Sequence, residues 1–363
     1  MGSPAVPAER LSASESIAAV EAMMEYSGHA SFDAMIGIEI GGSNGLQPLT
    51  IGSTKNFGVP TVDADWMGRE STYNSSAYGN NLADEIPLCL GRAFPNLWQV
   101  TIAVQEANQI LPCSIASGDG RTLLMTKSPD DYMIDRTLRA PTIEMGYYVG
   151  FCARPATTER VHKWSVKNTM SQAWRIGRCI ARASQNNTAS TVTRQIIDEL
   201  GGDGSAKLLF RGKITGVERR LHKGYSQGDV IIQHISGDSR DVRFVADFTR
   251  RAVATGGELR IPFMNEYLMA IHAEDDGTSV VIASVPDLIA VLDSSSGRAL
   301  GVGEYRYGVV VDVLGIACAP VWGGNKAGLK AGSPSAFGYE DVEYRPLGTY
   351  QEPRSVIDEF FRA

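Results

Sequence analysis

Residues 35–68 read MIGIEIGGSNGLQPLTIGSTKNFGVPTVDADWMG, and this stretch decides the fold of the first part of the chain. The apolar run 35–42 ends in two glycines, which is typical of a buried strand that enters a turn. Residues 59–68 have the same form, a strand followed by a loop that carries carboxylates. The segment between the two strands predicts a helix with Asn44 near its start. Strand, helix and strand in so short a stretch form the βαβ unit of a parallel sheet covered by helices.

Four polar residues follow the two predicted strands. Loops at the C-terminal ends of the strands are where open α/β sheets usually place their sites, so we expect Glu39, Asn44, Asp63 and Asp65 at that edge. Asp63 and Asp65 point the same way if the strand continues, and they are then able to bind a divalent cation or to share a proton. The alternative is that one carboxylate caps the next helix while the other is solvated.

The turn between the first strand and the helix is a second candidate binding site. Gly41 and Gly42 let the backbone approach a ligand closely, and a helix that starts near Asn44 offers free N–H groups. The alternative is a plain strand-to-helix turn.

The remaining sequence predicts two domains. Helices are predicted at 12–27, at 165–184 and at about 190–200, where two glycines end the last one. After residue 203 the chain alternates with a period of two and has frequent glycine turns, which indicates β structure. The prediction is therefore an α/β fold: a βαβ-type parallel or mixed sheet in domain 1–203, followed by a β-rich domain 204–363.

Two short motifs stand out in the β-rich half. Asn265 and Glu266 lie inside the apolar stretch PFMNEYLMA, so they must form hydrogen bonds or line a pocket, unless they face solvent or form a bulge. Residues 286–293, PDLIAVLD, are interpreted as a turn into a short helix with Asp287 as its cap.

Composition excludes several classes of protein. The chain of 363 residues has 34 Lys and Arg against 41 Asp and Glu, a net charge of -7, whereas nucleic-acid binders usually carry basic patches. It has no apolar run long enough to cross a membrane. Five widely spaced cysteines without CxxC or CxxH spacing argue against structural zinc and favour reduced thiols, so we expect a cytoplasmic protein. The motifs GxGxxG, GxxxxGK[ST] and HExxH are absent.

Eight stretches, in order along nearly the whole chain, carry a resemblance to one family. They are IEIGGSNGLQPL (38–49), VPTVDADWMGR (59–69), AFPNLWQ (93–99), FRGKITGVER (210–219), FMNEYLMA (263–270), PDLIAVLD (286–293), RYGVVVDVLGIACAPVW (306–322) and GSPSAFGYEDVEYRPL (332–347). Together they resemble the S-methyl thiohydantoin desulfurase-like proteins, long described as domain of unknown function 917. The resemblance implies an α/β domain followed by a β-rich domain.

The resemblance also implies chemistry. It implies hydrolysis of a thiohydantoin- or hydantoin-type five-membered ring, a small heterocyclic substrate, with sulfur released as sulfide or a thiol. Water then attacks the ring carbon that bears sulfur, while Asp63 or Asp65 acts as the base or holds a divalent metal ion with its water. The N–H groups near Gly41 and Gly42, or the Asn265 amide, would stabilise the developing anion.

The other candidate residues complete this hypothesis. Glu39 is a third catalytic carboxylate, and the substrate-binding candidates besides the two glycines are Asn44, Arg69, Asn265 and Glu266. Members of the family often occur with hydantoinase and oxoprolinase proteins. The alternative function is therefore a non-catalytic binding or partner subunit associated with such enzymes.

The sequence departs from the family pattern in two places. A glycine-rich opening segment of the form LGTGGGG is missing, and with it a first strand; the edge that this would expose favours self-association, so we expect a homo-oligomer. The family motif DADxMGRAFP is interrupted after Arg69 by residues 70–92, and deleting these 23 residues restores it. We therefore expect 70–92 to be an inserted loop.

Overall fold

The computed structural model describes most of the chain. The described residues are 14–66, 111–128, 131–186, 188, 191–222, 225–235, 252–324 and 326–361. The predicted loop 70–92 lies outside them.

The predicted βαβ unit is confirmed. Strand β1 (Met35–Gly37) runs parallel to β2 (Thr61–Asp65), and helix α2 (Gly42–Gly52) connects them. A short strand, β6 (Val166–Lys167), pairs antiparallel with the end of β2, so the sheet is mixed. This small sheet carries the predicted site residues that follow the two parallel strands.

A second three-stranded sheet lies against the first helix, α1 (Glu15–Ser27). Its strands are antiparallel in the order β4-β3-β5, where β3 is Cys113–Ala116, β4 is Thr122–Met125 and β5 is Gly150–Ala153. The Ser114 hydroxyl on β3 donates to the Ala19 carbonyl of α1 over 2.5 Å. Helix α1 thus closes one face of this sheet.

Four of the described helices lie between β4 and the large sheet in chain order, with the short strands β5 and β6 among them. These helices are α3 (Asp131–Glu144), α4 (Thr158–Trp164), α5 (Thr169–Gln185) and α6 (Val192–Glu199). Helices α5 and α6 confirm two of the sequence predictions. Two glycines in the left-handed region, Gly201 and Gly202, follow α6 as the sequence predicts.

The second half of the chain forms a large antiparallel sheet, as predicted. Its strands are β7 (Ala206–His222), β8 (Tyr225–His234), β9 (Glu258–Met264), β10 (Glu266–Tyr267), β11 (Met269–Ala273), β12 (Ser279–Ser284), β13 (Leu288–Asp293) and β14 (Val310–Ile316). The order is β12-β11-β9-β8-β7-β14-β13, with β10 paired to β9. One apolar cluster includes Phe210, Val230, Ile261 and Val313.

A second apolar cluster joins the helices to this sheet. Ile176 of α5 and Ile196 of α6 pack with Leu208, Leu288 and Leu314 of the strands. The predicted domain boundary near residue 203 falls between α6 and β7 and stays a prediction.

The predicted short helix at 286–293 is wrong. Residues 288–293 form β13, and each pairs with a residue of β14. All but Asp293 are buried. A short apolar run has the same periodicity in a buried strand and in a buried helix, so the sequence pattern could not separate them.

The chain ends in short helices and an extended segment. These are α7 (Pro320–Gly323), α8 (Lys326–Gly332), a 3₁₀ turn (Pro334–Phe337) and α9 (Val356–Phe361). Residues 351–361, called the strap below, run back across α5, where Trp174 meets the edge of Phe360 at a centroid distance of 5.8 Å.

Candidate functional site

The candidate site lies where β1 and β2 end. Gly37 is in register with Asp65, and the Trp66 amide donates to the Ile38 carbonyl over 3.2 Å, so the pairing continues past the last strand residues. Glu39 follows β1 by two residues and Asp65 ends β2. Because parallel strands end at the same edge, the sheet brings these two carboxylates together.

Helix α2 starts directly beside them. Gly41 is extended and precedes the helix, and its carbonyl accepts from the amides of Asn44 at 3.0 Å and Gly45 at 3.3 Å. A Cβ at position 45 would collide with the Ile40 carbonyl, so only glycine allows the helix to start this close to the strand. The first turn of a helix presents N–H groups with no partner in the helix, and its dipole favours negative charge there. The predicted binding residues Gly41 and Gly42 lie at this position.

Glu39 is the most perturbed carboxylate of the edge. It is 5% exposed, and the Asn44 side-chain amide donates to its Oε1. Its Oε2 is buried and has no hydrogen-bond partner among the described residues. Burial raises the Glu39 pKa to about 7; the Asn44 hydrogen bond opposes the rise and the negative charge of Asp65 adds to it. Glu39 is therefore partly protonated at neutral pH.

Asp65 is completely buried. Burial of both carboxylates and their mutual repulsion disfavour the state in which both are ionised. Such a pair contains an acid and a base at the same pH, beside a helix N-terminus that attracts negative charge. The arrangement can take a proton from water and return one to a leaving group.

Asp63 is held differently from Asp65. Its Oδ1 accepts from the Ser171 amide over 3.0 Å, its Oδ2 accepts from the Ser171 hydroxyl, and its carbonyl accepts from the Asn168 amide over 2.7 Å. Asp63 therefore caps the first turn of α5, whereas Asp65 is buried and is not solvated as the alternative in the sequence analysis required. The register shift in β2, where Met35 pairs with Thr61 and Gly37 with Asp65, separates the two aspartates despite their i, i+2 spacing.

The second predicted polar pair lies in the large sheet. Asn265 has a positive φ of 58°, its amide donates to the Ser226 carbonyl over 2.7 Å, and its Oδ1 accepts from the Ser226 amide over 2.8 Å. Asn265 thus makes the turn between β9 and β10, where Glu266 pairs with Met264. The substrate-binding roles of Asn265 and Glu266 stay predictions.

A cavity of about 310 Å³ lies next to this turn. On its floor, Glu218 and Asp229 face each other across β7 and β8. The lining residues are Glu218, Arg220, Gln227, Gly228, Asp229, Phe263, Met264, Leu268, Phe337 and Tyr339. The cavity could not be predicted from the sequence, because its lining residues come from strands β7, β8 and β9, from Leu268 and from the region of the 3₁₀ turn, which are far apart in the chain. Asn265 and Glu266, which the sequence singled out, lie next to the cavity and do not line it.

The metal and membrane predictions can be compared with the described part of the chain. In it, no cluster of three or more His, Cys, Asp and Glu side chains is arranged to hold a metal ion, so the binding of a metal by Asp63 and Asp65 stays a prediction. Arg69 lies outside the described residues. None of the helices described is both long and apolar enough to cross a membrane.

Comparisons with known proteins agree with the fold. A crystal structure of a protein from Chromobacterium violaceum is similar to this chain, with a TM-score of 0.59 and 18% sequence identity over 92% of this chain and 78% of the other. At that identity the likeness shows the fold alone. No curated protein matches the chain significantly.

Two family models match the sequence itself. Residues 1–71 match the N-terminal domain of S-Me-THD-like proteins, and residues 129–347 match the C-terminal domain. The two matches cover the edge with Glu39 and Asp65 and the whole large sheet. The chain belongs to the S-Me-THD-like family.

Proposed function

We propose that this protein hydrolyses a thiohydantoin- or hydantoin-type five-membered ring and releases sulfide or a thiol. The observation that carries the proposal is the buried pair Glu39 and Asp65 at the N-terminus of α2. Membership of the S-Me-THD-like family supports the substrate class. The family name alone does not assign the reaction, which rests on the chemistry of this pair.

The two carboxylates take complementary roles. Asp65 is the ionised partner and removes a proton from water, whose oxygen bonds to the ring carbon that bears sulfur. Glu39, with a pKa near 7, is the protonated partner and gives its proton to the departing sulfur. The carbon–sulfur bond breaks and the new hydroxyl group becomes a carbonyl; its proton passes to the ring nitrogen when a thiol leaves, or to the sulfur when H₂S leaves, and the proton taken by Asp65 restores Glu39. Water is consumed, H₂S or a thiol leaves, and no oxidant or reductant is needed.

The start of α2 supplies the electrostatic part of the mechanism. The N–H groups at Gly41 and Gly42 are placed to receive the negative charge that develops on the ring as water adds. Asn44 donates to Glu39 and so fixes the direction of that carboxyl group. A polar ring with alternating N–H and C=O or C=S groups suits a site that offers both donors and a carboxylate.

The proposed mechanism does not use a metal ion. Hard carboxylate oxygens suit a divalent ion, but both Asp63 oxygens accept hydrogen bonds from Ser171, which a metal at Asp63 would have to displace. We therefore assign the base to Asp65 without a metal. Activity that survives exhaustive chelation supports this assignment, and activity restored only by added Mg²⁺, Mn²⁺ or Zn²⁺ contradicts it.

The test is release of sulfide or thiol from a panel of thiohydantoins and S-methyl thiohydantoins. We expect turnover by the wild type and a fall of about 10²- to 10⁴-fold in kcat for Glu39→Gln and for Asp65→Asn, because each removes one proton-transfer group. The matched controls, Glu274→Gln and Asp275→Asn, change exposed acids and should keep wild-type rates.

Two outcomes would overturn the proposal. Unchanged turnover in both site variants would remove the acid pair from the mechanism. Tight binding of a ring compound without any product would favour the alternative, a binding or partner subunit associated with hydantoinase- or oxoprolinase-type enzymes.

A further inference from the structure

The first turn of α5 lies between the end of β2 and the strap. On the β2 side, Ser171 donates both its amide and its hydroxyl to the Asp63 carboxylate. Ser171 is 2% exposed, so these bonds are protected from water. The Asn168 amide adds a bond of 2.7 Å to the Asp63 carbonyl. Asp63 is thus joined to α5 by both its side chain and its backbone.

The same two residues of α5 hold the strap on their other side. The Val356 amide donates to the Ser171 hydroxyl over 2.9 Å, and the Asn168 side chain donates to the Pro353 carbonyl over 2.9 Å. A hydroxyl both donates and accepts, so one Ser171 oxygen links the strap to Asp63. Asp63 lies 108 residues before Ser171 in the chain, and Val356 lies 185 residues after it.

Arg175, one turn further along α5, anchors the strap. Its side chain is 3% exposed, its Nε donates to the Arg354 carbonyl over 3.2 Å, and its guanidinium pairs with Glu359. Glu199 of α6 accepts from Arg354 over 2.8 Å. Glu199 of α6 and Glu359 of the strap therefore share the compensation of the buried Arg175 charge.

Contacts within the small sheet hold the end of β2 in part. It pairs with β6 through Ala64 with Lys167 and Asp65 with Val166, and the Trp66 amide donates to the Ile38 carbonyl over 3.2 Å beyond the register shift with β1. Three short strands give limited stability by themselves. The contacts with α5 therefore add to those that hold Asp65 in position.

We propose that Asp63 is a positioning residue, which, through Ser171 and the strap, holds the end of β2 so that Asp65 faces Glu39. This inference rests on the proposed function for its catalytic consequence. The assignment separates the two aspartates of the DAD motif: Asp65 reacts and Asp63 places it. It also gives a role to the strap, all of which lies beyond the part of the chain that the family model matches.

The test uses the full chain with Ser171→Ala, which removes the link and leaves Asp63 and Asp65 unchanged. We expect kcat to fall about tenfold with KM little changed, since small displacements of reacting groups are costly. Asp65 should move away from Glu39, so the Glu39 titration, followed through its carboxyl infrared band, should fall slightly below about 7, because burial causes most of the rise and the Asp65 charge a smaller part of it. Ser171→Thr keeps the hydroxyl and should restore most of both. Ser184→Ala, an exposed change on the same helix, is the matched control.

A second variant guards against a folding defect in Ser171→Ala. Val356→Pro removes only the amide that donates to Ser171, at the first position of α9, where proline is tolerated. It should shift the Glu39 titration in the same direction, by less. A wild-type Glu39 titration in both variants would overturn the positioning role. The titration does not need turnover, so it decides this inference even when no substrate of the panel is hydrolysed.

Discussion

The buried carboxylates of the small sheet and of the large sheet differ in the donors and charges that surround them. In the large sheet, Asp312 is paired with Arg211 at 3.1 Å and accepts from the Thr193 hydroxyl at 2.6 Å. Asp287 accepts from the amides of Cys318 and Leu347 and from the Tyr344 hydroxyl. In the small sheet, Glu39 has one amide donor and a like charge beside it.

This difference appears in what opposes the effect of burial on each pKa. Burial raises the pKa of Asp312 and Asp287, but Arg211 and the hydrogen bonds oppose the rise. For Glu39 one hydrogen bond opposes burial and the Asp65 charge increases its effect. A carboxylate surrounded by donors holds the fold together, whereas one left with a like charge is ready to exchange a proton. The three predictions that follow test this contrast.

The largest stability effect should come from the large sheet. Asp312→Ala leaves Arg211 buried without its carboxylate and should lower the free energy of unfolding by about 3–5 kcal/mol, measured by urea denaturation. The double replacement Arg211→Met with Asp312→Leu removes both charges and should recover much of that loss. A loss below 1 kcal/mol in Asp312→Ala would show that the Arg211–Asp312 pair contributes little to stability. The contrast with Glu39 would then fail.

The next effect concerns the pH dependence of stability. The folded Glu39 pKa of about 7 exceeds its ordinary value of 4.5, so its contribution is fully present below pH 4.5 and is lost as pH rises through 7. The loss is at most about 3 kcal/mol. Glu39→Gln should therefore be more stable than the wild type at pH 8 and lose this advantage near pH 4.5. Equal stability profiles for the two proteins across that range would contradict the raised pKa.

The smallest effect concerns the strap. The Arg175 guanidinium lowers the pKa of Glu359, so the pair stabilises the strap above the ordinary glutamate pKa, and this is lost as pH falls through the lowered value. Because Glu359 is exposed to solvent, the effect is weak and screened by salt. Glu359→Gln should speed amide exchange within 351–361 at neutral pH without changing the unfolding midpoint measurably. Equally fast exchange throughout the chain would show instead a global loss of stability.

Sequence reasoning predicted the site from strand ends. Glu39, Asn44 and Asp65 were expected at one edge, and the structure brings them there, because parallel strands joined by a helix must end on the same side. It left the role of Asp63 open. The structure adds the register shift within β2 and the contact with Ser171, more than a hundred residues away, on which the proposed positioning role rests. Ser171 itself was missed, although a serine three residues after Asn168 at a helix start is a capping signal.

The sequence by itself determined most element types and their order, apart from residues 286–293: the βαβ unit of residues 35–65, the amphipathic helix α5 and the β structure after residue 203. These follow from local periodicity and glycine positions, which each stretch of chain carries on its own. Only the tertiary structure decided how the carboxylates behave. Protonation of Glu39 and the hydrogen bonds of Asp63 depend on burial and on partners distant in the chain, and no local pattern specifies either.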